Sequence, residues 1–233
     1  MEVIITGTGS GIGRALAEFY LAQGANVVGV SRSNSIAHPN FVFVKKDLLN
    51  EHTFDWLKSV VSFQRDLVVI NNAGMIGNLE RISEQDGSDI EEVLTLNTIR
   101  PMQLCQFVLK ELPLSIPLTI INISSGAAKR PIAGWASYCS SKAAIDLFSQ
   151  TIAAEEKERG RQLVVYSLAP GVVDTPMQEK IRSADTNAFS DVEHFKKLHA
   201  DGQLISLNEL IVKFERLIKK PYDGKVIQTL RDY

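Results

Sequence analysis

The sequence predicts a single α/β domain, built on a doubly wound parallel sheet of about seven strands with helices on both faces. Three observations support this fold class. Short β-branched segments alternate with helical patterns along the 233 residues, as in a sheet whose strands are joined by helical crossovers. Most strand segments are apolar throughout instead of alternating, which indicates burial on both faces. A glycine-rich turn follows the first strand directly.

The individual strands and helices follow from these local patterns. In chain order, the strand segments are Glu2–Thr6, Asn26–Val30, Phe41–Lys45, Leu67–Ile70, Pro117–Ile123, Gln162–Leu168 and Lys225–Thr229. The helical segments between them are Ile12–Gln23, Phe54–Phe63, Ile90–Leu112, Ala136–Arg159 and Leu207–Lys219. Alternation of this kind implies right-handed crossovers between parallel strands. No linker or repeat interrupts the series, so residues 1–233 are expected to form one domain.

Residues 175–202 show no clear period. They are rich in polar and charged residues, with scattered apolar ones such as Met177 and Phe195. Because they follow the sixth strand, we expect them at the carboxyl edge of the sheet, where ligands bind in folds of this kind. We interpret this segment as a mobile flap over a pocket; a surface insertion without a role is the alternative.

The charge balance, cysteines and histidines exclude several classes of protein. With 25 basic and 27 acidic residues the formal net charge is −2, which argues against a binder of nucleic acid or membrane surfaces. Cys105 and Cys139 form no metal-ligand pair, and none of the 4 histidines has metal-ligand spacing. The N-terminus lacks the basic region of a signal peptide, and no segment approaches the roughly 20 apolar residues of a membrane span. We therefore expect a cytoplasmic protein with reduced thiols and no metal.

The turn after the first strand has the pattern of a dinucleotide-binding loop. Residues 6–14 read TGTGSGIGR and lead directly into a helix. Glycines let the backbone approach a pyrophosphate, and the helix start offers free N–H groups and the positive end of its dipole. The residues assigned to this contact are Gly7, Thr8, Ser10, Gly11, Ile12 and Gly13. The strand before the turn and the helix after it predict a Rossmann-type domain; a tight turn without a ligand is the alternative.

The end of the second strand predicts the choice of cofactor. A carboxylate at this place accepts hydrogen bonds from the ribose 2′-OH and repels a 2′-phosphate. Here Ser31 and Arg32 stand instead, and both can donate to a phosphate. NADP(H) is therefore favoured over NAD(H), with an ordinary exposed loop arginine as the alternative for Arg32. Asp47, after the third strand, either accepts from the adenine amino group or serves as a turn residue.

Three polar residues are placed to act on one carbonyl group. Tyr138 and Lys142 are four positions apart and lie on one helix face, about 6 Å from each other. Reducing a ketone requires a hydride and a proton for the developing alkoxide. A tyrosine can supply that proton if a lysine ammonium and an oxidised nicotinamide lower its pKa from about 10 to about 7. Ser125, at the end of the fifth strand, can hydrogen-bond the substrate oxygen.

Together, these motifs resemble the short-chain dehydrogenase/reductase family over essentially the whole chain. They are Thr6-Gly-x-x-x-Gly11-Ile-Gly13, Asn71-Asn72-Ala73-Gly74, Ser125, Tyr138-x-x-x-Lys142 and Pro170-Gly171. The resemblance implies that Ser125, Tyr138 and Lys142 form the catalytic triad. It also implies that Asn97 holds a water in a proton relay; without the resemblance, a buried residue at a helix kink is the alternative. The remaining cofactor contacts that it implies are Asp47, Leu48, Asn72, Ala73, Gly74, Tyr138, Lys142, Pro170, Gly171, Val173 and Thr175.

Two further stretches resemble the sepiapterin reductase branch of that family, and most closely its bacterial members that reduce benzil to (S)-benzoin. They are residues 121–139 and 169–182. The resemblance implies an NADPH-dependent reductase of diketones or α-hydroxyketone-like carbonyls with an apolar pocket. The pocket residues that it implies are Ser125, Trp135, Tyr138 and Met177. Sepiapterin reductases anchor the pterin with an aspartate near the C-terminus, where this chain has Gln228, with Asp232 later.

Two other functions compete with this one. One is a 3-oxoacyl-thioester reductase, for which Lys196 and Lys197 near the flap hint at docking of an acidic carrier protein. The other is a non-catalytic NADP(H)-sensing protein, since a fold alone does not prove a function. Such sensors lose members of the catalytic set, whereas Asn97, Ser125, Tyr138 and Lys142 are all present.

The helix that contains Tyr138 carries two apolar stripes. They are Ile145, Phe148 and Ile152, and Ala144, Leu147 and Ala154. Two apolar faces exceed what packing against the sheet requires. We therefore expect this helix to pair with that of a second copy, giving a homodimer or a homotetramer.

Overall fold

The computed structural model describes Met1–Tyr233 and contains one seven-stranded sheet. Its strands are β1 (Glu2–Thr6), β2 (Asn26–Ser31), β3 (Phe41–Lys45), β4 (Leu67–Asn71), β5 (Leu118–Ile123), β6 (Leu163–Ala169) and β7 (Ile227–Thr229). All neighbouring strands pair in parallel, in the order β3-β2-β1-β4-β5-β6-β7. The predicted doubly wound parallel sheet is confirmed.

The winding of the chain changes direction between β1 and β4. From β1 the chain moves outward through β2 to β3, then returns to β4 on the other side of β1 and continues outward to β7. At such a switch point the connections diverge and leave a crevice at the carboxyl ends of the strands. The topology therefore places a ligand site beside the ends of β1 and β4.

Seven α-helices cover the sheet. They are α1 (Gly11–Ala22), α2 (Gly87–Leu94), α3 (Arg100–Glu111), α4 (Ala136–Glu158), α5 (Pro176–Arg182), α6 (Val192–Ala200) and α7 (Leu207–Lys219). α1 and α7 pack on one face, and α3 and α4 on the other. Along β1, Val3 and Ile5 join the first layer and Ile4 the second, and all three are fully buried. No helix combines the length and apolar content needed to cross a bilayer.

The prediction of a helix over residues 54–63 is wrong. The segment contains a single 3₁₀ turn, Asp55–Ser59, in which the N–H of Leu57 donates to the carbonyl of Phe54 three residues earlier. The apolar residues are buried as in a helix, which explains the misleading pattern. Phe63 has φ +53°, a left-handed conformation that cannot continue a right-handed helix.

The single helix expected over Ile90–Leu112 is interrupted. α2 and α3 are joined by a π-helical turn, Thr95–Ile99, in which the N–H of Arg100 donates to the carbonyl of Thr95 five residues earlier. Pro101 has no N–H, so the regular pattern of bonds to the fourth preceding residue cannot run through this joint. The turn carries Asn97, which is buried.

Residues 175–202 contain two helices, α5 and α6, although their sequence shows no clear period. The helices pack against each other and bury Ile181, Phe189 and Phe195 in a third apolar cluster that includes Trp135. The segment therefore packs against the start of α4. Its mobility stays a prediction.

Candidate active site

A cavity of about 1350 Å³ opens at the carboxyl ends of the strands, around the switch point. Its wall runs from the glycine turn past the ends of β2, β4 and β5 to the start of α4 and to residues 175–202. The volume exceeds the roughly 300–1,000 Å³ of a site for one small ligand, so it suits a dinucleotide and a second molecule together. Of the residues predicted to form the site, all line this cavity except Thr8, Gly13 and Asn97.

The glycine turn leaves no room for side chains. Gly7 has φ +77°, and a Cβ added there would lie 2.8 Å from Nδ2 of Asn72. Asn72 fixes the turn, because its Nδ2 donates to the carbonyl oxygens of Thr6 at 3.0 Å and of Gly7 at 3.2 Å. Gly13, outside the cavity, packs directly against the backbone of Gly7. Ser10 makes no side-chain cap at the start of α1, so the first N–H groups of that helix are not capped by its hydroxyl.

The end of β2 presents hydroxyl groups and an unpaired guanidinium. Ser31 Oγ donates to the carbonyl of Ser33 at 2.6 Å and lies 3.2 Å from Oγ1 of Thr8. Thr8 is fully buried and supports Ser31 from behind the cavity wall. Arg32 is exposed, lines the cavity and takes part in no ion pair within the chain. Its guanidinium is therefore available to an anionic ligand.

Asp47 and Leu48 form the cavity wall beside the end of β2. One carboxylate oxygen of Asp47 accepts from the N–H of Leu49 at 3.1 Å, as in a turn. The other oxygen has no partner in the chain, so the turn role does not exclude a ligand contact. The carbonyl of Leu48 accepts from Nε of Arg100 at 2.7 Å, which ties this loop to the start of α3.

Ser125, Tyr138 and Lys142 converge on one wall of the cavity. Tyr138 and Lys142 lie one turn apart on α4, and Nζ of Lys142 lies 5.7 Å from the centre of the Tyr138 ring. The same Nζ donates to the carbonyl of Ile123 at 2.9 Å, which fixes it to the end of β5. Ser125 follows that strand; its Oγ accepts from the N–H of Ala127 at 3.2 Å, and its side chain lies near enough to the Tyr138 phenol to affect the pKa of that group.

Burial controls the ionisation of these residues. Removal from water raises the pKa of the Tyr138 phenol to about 12, which the neighbouring hydroxyl of Ser125 offsets only in part. Removal from water also lowers the pKa of the Lys142 ammonium to about 8, against the opposing effect of Asp146 one turn further along α4. A pKa near 7, lowered by the lysine ammonium together with an oxidised nicotinamide, stays a prediction for the cofactor-bound protein. Tyr138 is a neutral phenol at pH 7, able to donate a proton.

Asn97 lies behind the cavity wall that carries Tyr138 and Lys142. Its Oδ1 accepts from the N–H of Met75 at 2.9 Å, and its Nδ2 donates to the Met75 carbonyl at 2.8 Å and to Oγ of Ser141 at 3.0 Å. A Cβ added to Gly74 would lie 3.0 Å from Oδ1 of Asn97 and 3.7 Å from Nζ of Lys142, so these three residues meet. The amide thus joins the loop after β4 to α4. Its part in a proton relay stays a prediction.

The loop after β6, residues 170–175, closes the cavity from the opposite side. Val173 pairs with Ile205 in an isolated β-bridge, which fixes the middle of the loop. The side chain of Thr175 lies 3.4 Å from the position that a Cβ on Gly11 would take. The loop therefore reaches across to the glycine turn, and the two halves of the predicted cofactor site face each other.

The far end of the cavity is aromatic. Trp135 stacks on Phe189 and Phe195, with ring centres 5.1 and 5.5 Å apart, and meets Tyr138 at nearly a right angle at 5.6 Å. Met177 is half-buried and packs against the same cluster. The structure therefore brings the four predicted pocket residues together at the cavity wall that carries Tyr138 and Lys142.

The sequence does not predict several of the residues that line this end as pocket residues. They are Ile132, Gln178, Phe195, Leu198 and Ile205. The apolar residues at 189, 192 and 195 recur every three positions, which was the available signal for a helix there. Neither Gln228 nor Asp232 lines the cavity. Gln228 is buried and accepts from the Tyr233 hydroxyl at 2.9 Å, so its amide oxygen is already paired within the chain.

The sequence of this chain is similar to those of known proteins over most of its length. A family model described as short chain dehydrogenase matches residues 2–186. The chain is 34% identical over 238 residues to a benzil reductase ((S)-benzoin forming) of Bacillus subtilis (strain 168), covering 99% of this chain and 98% of that protein. It is 30% identical over 243 residues to a sepiapterin reductase of Meriones unguiculatus, covering 93% and 90%.

The fold of this chain is also similar to that of a solved structure. The crystal structure of a short-chain dehydrogenase/reductase from Saccharomyces cerevisiae matches with a TM-score of 0.82 at 25% identity, covering 99% of this chain and 96% of that one. Both the family model and the relatives above extend over most of the chain. The chain therefore belongs to the short-chain dehydrogenase/reductase family of oxidoreductases.

Proposed function

We propose that the protein reduces small carbonyl compounds with NADPH, and that its substrates are aromatic or apolar diketones or α-hydroxyketones. The observation that carries this proposal is the convergence of Ser125, Tyr138 and Lys142 in a cavity whose other end is a glycine turn. The identity of 34% to a protein named benzil reductase supports the carbonyl class. The aromatic cluster around Trp135 supports an apolar or aromatic substituent on the substrate.

The residues at the glycine-turn end of the cavity fit a nicotinamide dinucleotide with a 2′-phosphate. The glycine turn would hold the pyrophosphate, because it leaves space for backbone only and lies at the start of α1. Ser31 and Arg32 would hold the 2′-phosphate, since no carboxylate stands at this strand end and Arg32 has no ion-pair partner. When bound, NADPH would supply the hydride that the carbonyl carbon accepts.

The chain's own residues would orient the carbonyl and supply the proton. Ser125 would hydrogen-bond the carbonyl oxygen as its negative charge grows. Tyr138, kept neutral by burial, would donate its proton to the same oxygen. Lys142, whose pKa is lowered to about 8, is mostly an ammonium at pH 7 and would stabilise the phenolate that remains.

Consumption of NADPH in the presence of four substrates tests the proposal. The substrates are benzil, 1-phenyl-1,2-propanedione, sepiapterin and acetoacetyl-CoA, each also offered with NADH. We expect turnover of the two aromatic diketones with NADPH. Turnover of acetoacetyl-CoA alone would indicate a 3-oxoacyl-thioester reductase, although Lys196 is already paired with Glu193 at 2.8 Å. Binding of NADPH without turnover of any substrate would indicate a non-catalytic NADP(H)-sensing protein.

The variant Tyr138→Phe tests the proton donor. It keeps the ring and removes the hydroxyl, so we expect turnover to fall at least about a hundredfold, while fluorescence titration still detects NADPH binding. Tyr20→Phe is the matched control, because Tyr20 is an equally buried tyrosine outside the cavity. If Tyr138→Phe retained the activity of Tyr20→Phe, the proton would have to come from another group.

A further inference from the structure

A half-buried carboxylate stands one helical turn after Lys142 and does not line the cavity. One oxygen of Asp146 accepts two hydrogen bonds, from Oγ of Ser124 and from Oγ of Ser167, each at 2.6 Å. Both serines are buried, Ser124 directly after β5 and Ser167 within β6. Such distances, about 2.5–2.7 Å, are those of hydroxyls that donate to an ionised carboxylate. The two hydroxyls therefore hold the charge of Asp146 in place.

Asp146 and Lys142 are attached to consecutive residues at one strand end. Nζ of Lys142 donates to the carbonyl of Ile123 at 2.9 Å, and Asp146 accepts from the next residue, Ser124. On α4 the two charged residues are four positions apart, so they lie on one face of the helix. Their anchors are about 3.8 Å apart along the chain. The carboxylate and the ammonium are therefore held as neighbours, although they form no direct ion pair.

Asp146 is the one negative charge that acts on Lys142. Burial lowers the pKa of the Lys142 ammonium to about 8, and the charge of Asp146 opposes this effect. The other titratable group that meets the ammonium is Tyr138 on the same helix, a neutral phenol. β5 and the loop after β4 meet it with the Ile123 carbonyl and with Gly74, which carry no charge. The desolvated ammonium thus depends on a single acid.

A clamp between α4 and the sheet does not by itself require a charge. An amide oxygen has two lone pairs and can accept from both serine hydroxyls, as the carboxylate oxygen does. A carboxylate also favours the charged form of a neighbouring lysine, which an amide does not. The negative charge of Asp146 is therefore explained by Lys142 and not by the clamp.

We propose that Asp146 is a positioning residue of the reductase, whose carboxylate holds Lys142 in its charged form. This deepens the proposed carbonyl reduction and rests on it, because the ammonium would stabilise the phenolate that Tyr138 leaves after donating its proton. Ser124, which Asp146 binds, stands directly before Ser125. Asp146 touches neither substrate nor cofactor and acts through these neighbours.

The pH dependence of kcat/KM distinguishes the charge from the clamp. Asp146→Asn keeps an oxygen for the two serine hydroxyls and removes the charge. The Lys142 ammonium then loses its proton more readily, so we expect the alkaline limb with NADPH and 1-phenyl-1,2-propanedione to move about one pH unit lower. A shift of that size lowers kcat/KM up to about tenfold on the alkaline limb and leaves the acid plateau nearly unchanged.

Three further variants isolate the charge. Asp146→Glu keeps it and is expected to return the limb towards its wild-type position. Ser167→Ala removes one hydrogen bond of the clamp and keeps the charge, so the limb should stay in place. Glu155→Gln removes an exposed acid from the same helix, about 20 Å from Lys142 at about 1.5 Å per residue, and should not move the limb. An unmoved limb in Asp146→Asn, or an equal shift in Ser167→Ala, would overturn the proposal.

A double-mutant cycle in urea unfolding measures the same coupling without turnover. Asp146→Asn is made in the wild type and in Lys142→Met, and the unfolding midpoints are compared at pH 7 and pH 10. Any change in the clamp is common to both backgrounds. We expect Asp146→Asn to lower the midpoint more in the wild type than in Lys142→Met at pH 7. At pH 10 the two falls should be equal, because the folded protein then holds Lys142 without its proton.

The two measurements separate this inference from the proposed function. If no ketone is turned over, a larger fall in the wild type at pH 7 would support the action of Asp146 on Lys142 without the reductase. Turnover with equal falls in both backgrounds at pH 7 would overturn the role of Asp146 and leave carbonyl reduction standing.

Discussion

Lys142 is a buried cation, so replacing it by methionine is expected to stabilise the fold while removing activity. The residue is 5% exposed, and burial lowers the pKa of its ammonium from 10.5 to about 8. At pH 7 the folded chain therefore holds a charge that is better solvated in the unfolded chain. Lys142→Met keeps an unbranched side chain of similar length without that charge.

The expected gain is about 2 kcal/mol of unfolding free energy at pH 7. The difference between 10.5 and about 8 corresponds to about 3 kcal/mol, at about 1.4 kcal/mol for each pKa unit. Loss of the 2.9 Å hydrogen bond from Nζ to the Ile123 carbonyl costs about 1 kcal/mol. Below pH 8 both states hold the proton and the penalty is complete. Between about 8 and 10.5 the folded state loses its proton first, so the wild type gains stability as pH rises.

Urea unfolding followed by circular dichroism at pH 7 and at pH 10 measures this difference. We expect a higher midpoint for Lys142→Met at pH 7 and nearly equal midpoints at pH 10. Lys129→Met is the control, because this lysine is exposed and has no ion-pair partner, and it should change neither midpoint. A methionine variant no more stable than the wild type at pH 7, or a gain that persists at pH 10, would refute the view that charge burial dominates at Lys142.

Two further changes test the cofactor end and the surface of α4. Arg32→Ala is expected to raise the KM for NADPH about 10- to 100-fold, the effect of losing a charge-assisted phosphate contact. Steady-state kinetics with both cofactors measure this, and an equal rise for NADH would contradict the assignment to the 2′-phosphate. Leu147, 66% exposed on α4, belongs to the interface of the homodimer or homotetramer that we propose. Leu147→Glu is expected to yield monomers in light scattering, unlike Val212→Glu on α7; a monomeric wild type would refute the interface.

The sheet is predictable because burial on both faces leaves a direct mark in the sequence. Short apolar runs such as residues 3–5 identify the strands, and β1 to β6 lie within one residue of their expected bounds. Apolar spacing alone does not distinguish a 3₁₀ turn from an α-helix, which is why residues 54–63 predict a helix that is absent. The positive φ of Phe63 depends on the surrounding fold. The π turn has a local signal, since Pro101 lacks the N–H of a regular helix.

The candidate site is predictable where short motifs fix both backbone geometry and chemistry. The glycine turn and the Tyr138–Lys142 pair are of this kind, because each is attached to a strand end or to one helix face. The ionisation state of Tyr138 cannot be predicted from a short motif, since its pKa reflects desolvation by the whole fold. Gln178 and Phe195 are not predicted as pocket residues for another reason: they lie in helices of 7 and 9 residues, in which only a few apolar positions mark the period.

The burial of the Lys142 ammonium is unfavourable in the protein alone, and a negative charge formed beside it would offset this cost. Elsewhere, the buried ion pair of Glu156 and Arg161 is complete, and Arg161 also donates to carbonyl groups near the end of α3. At the cavity, the ammonium of Lys142 is desolvated and takes part in no ion pair of the chain. An apolar side chain at this position would give a more stable chain. Retention of the charge at a cost in stability is expected of a functional site and not of a packing defect.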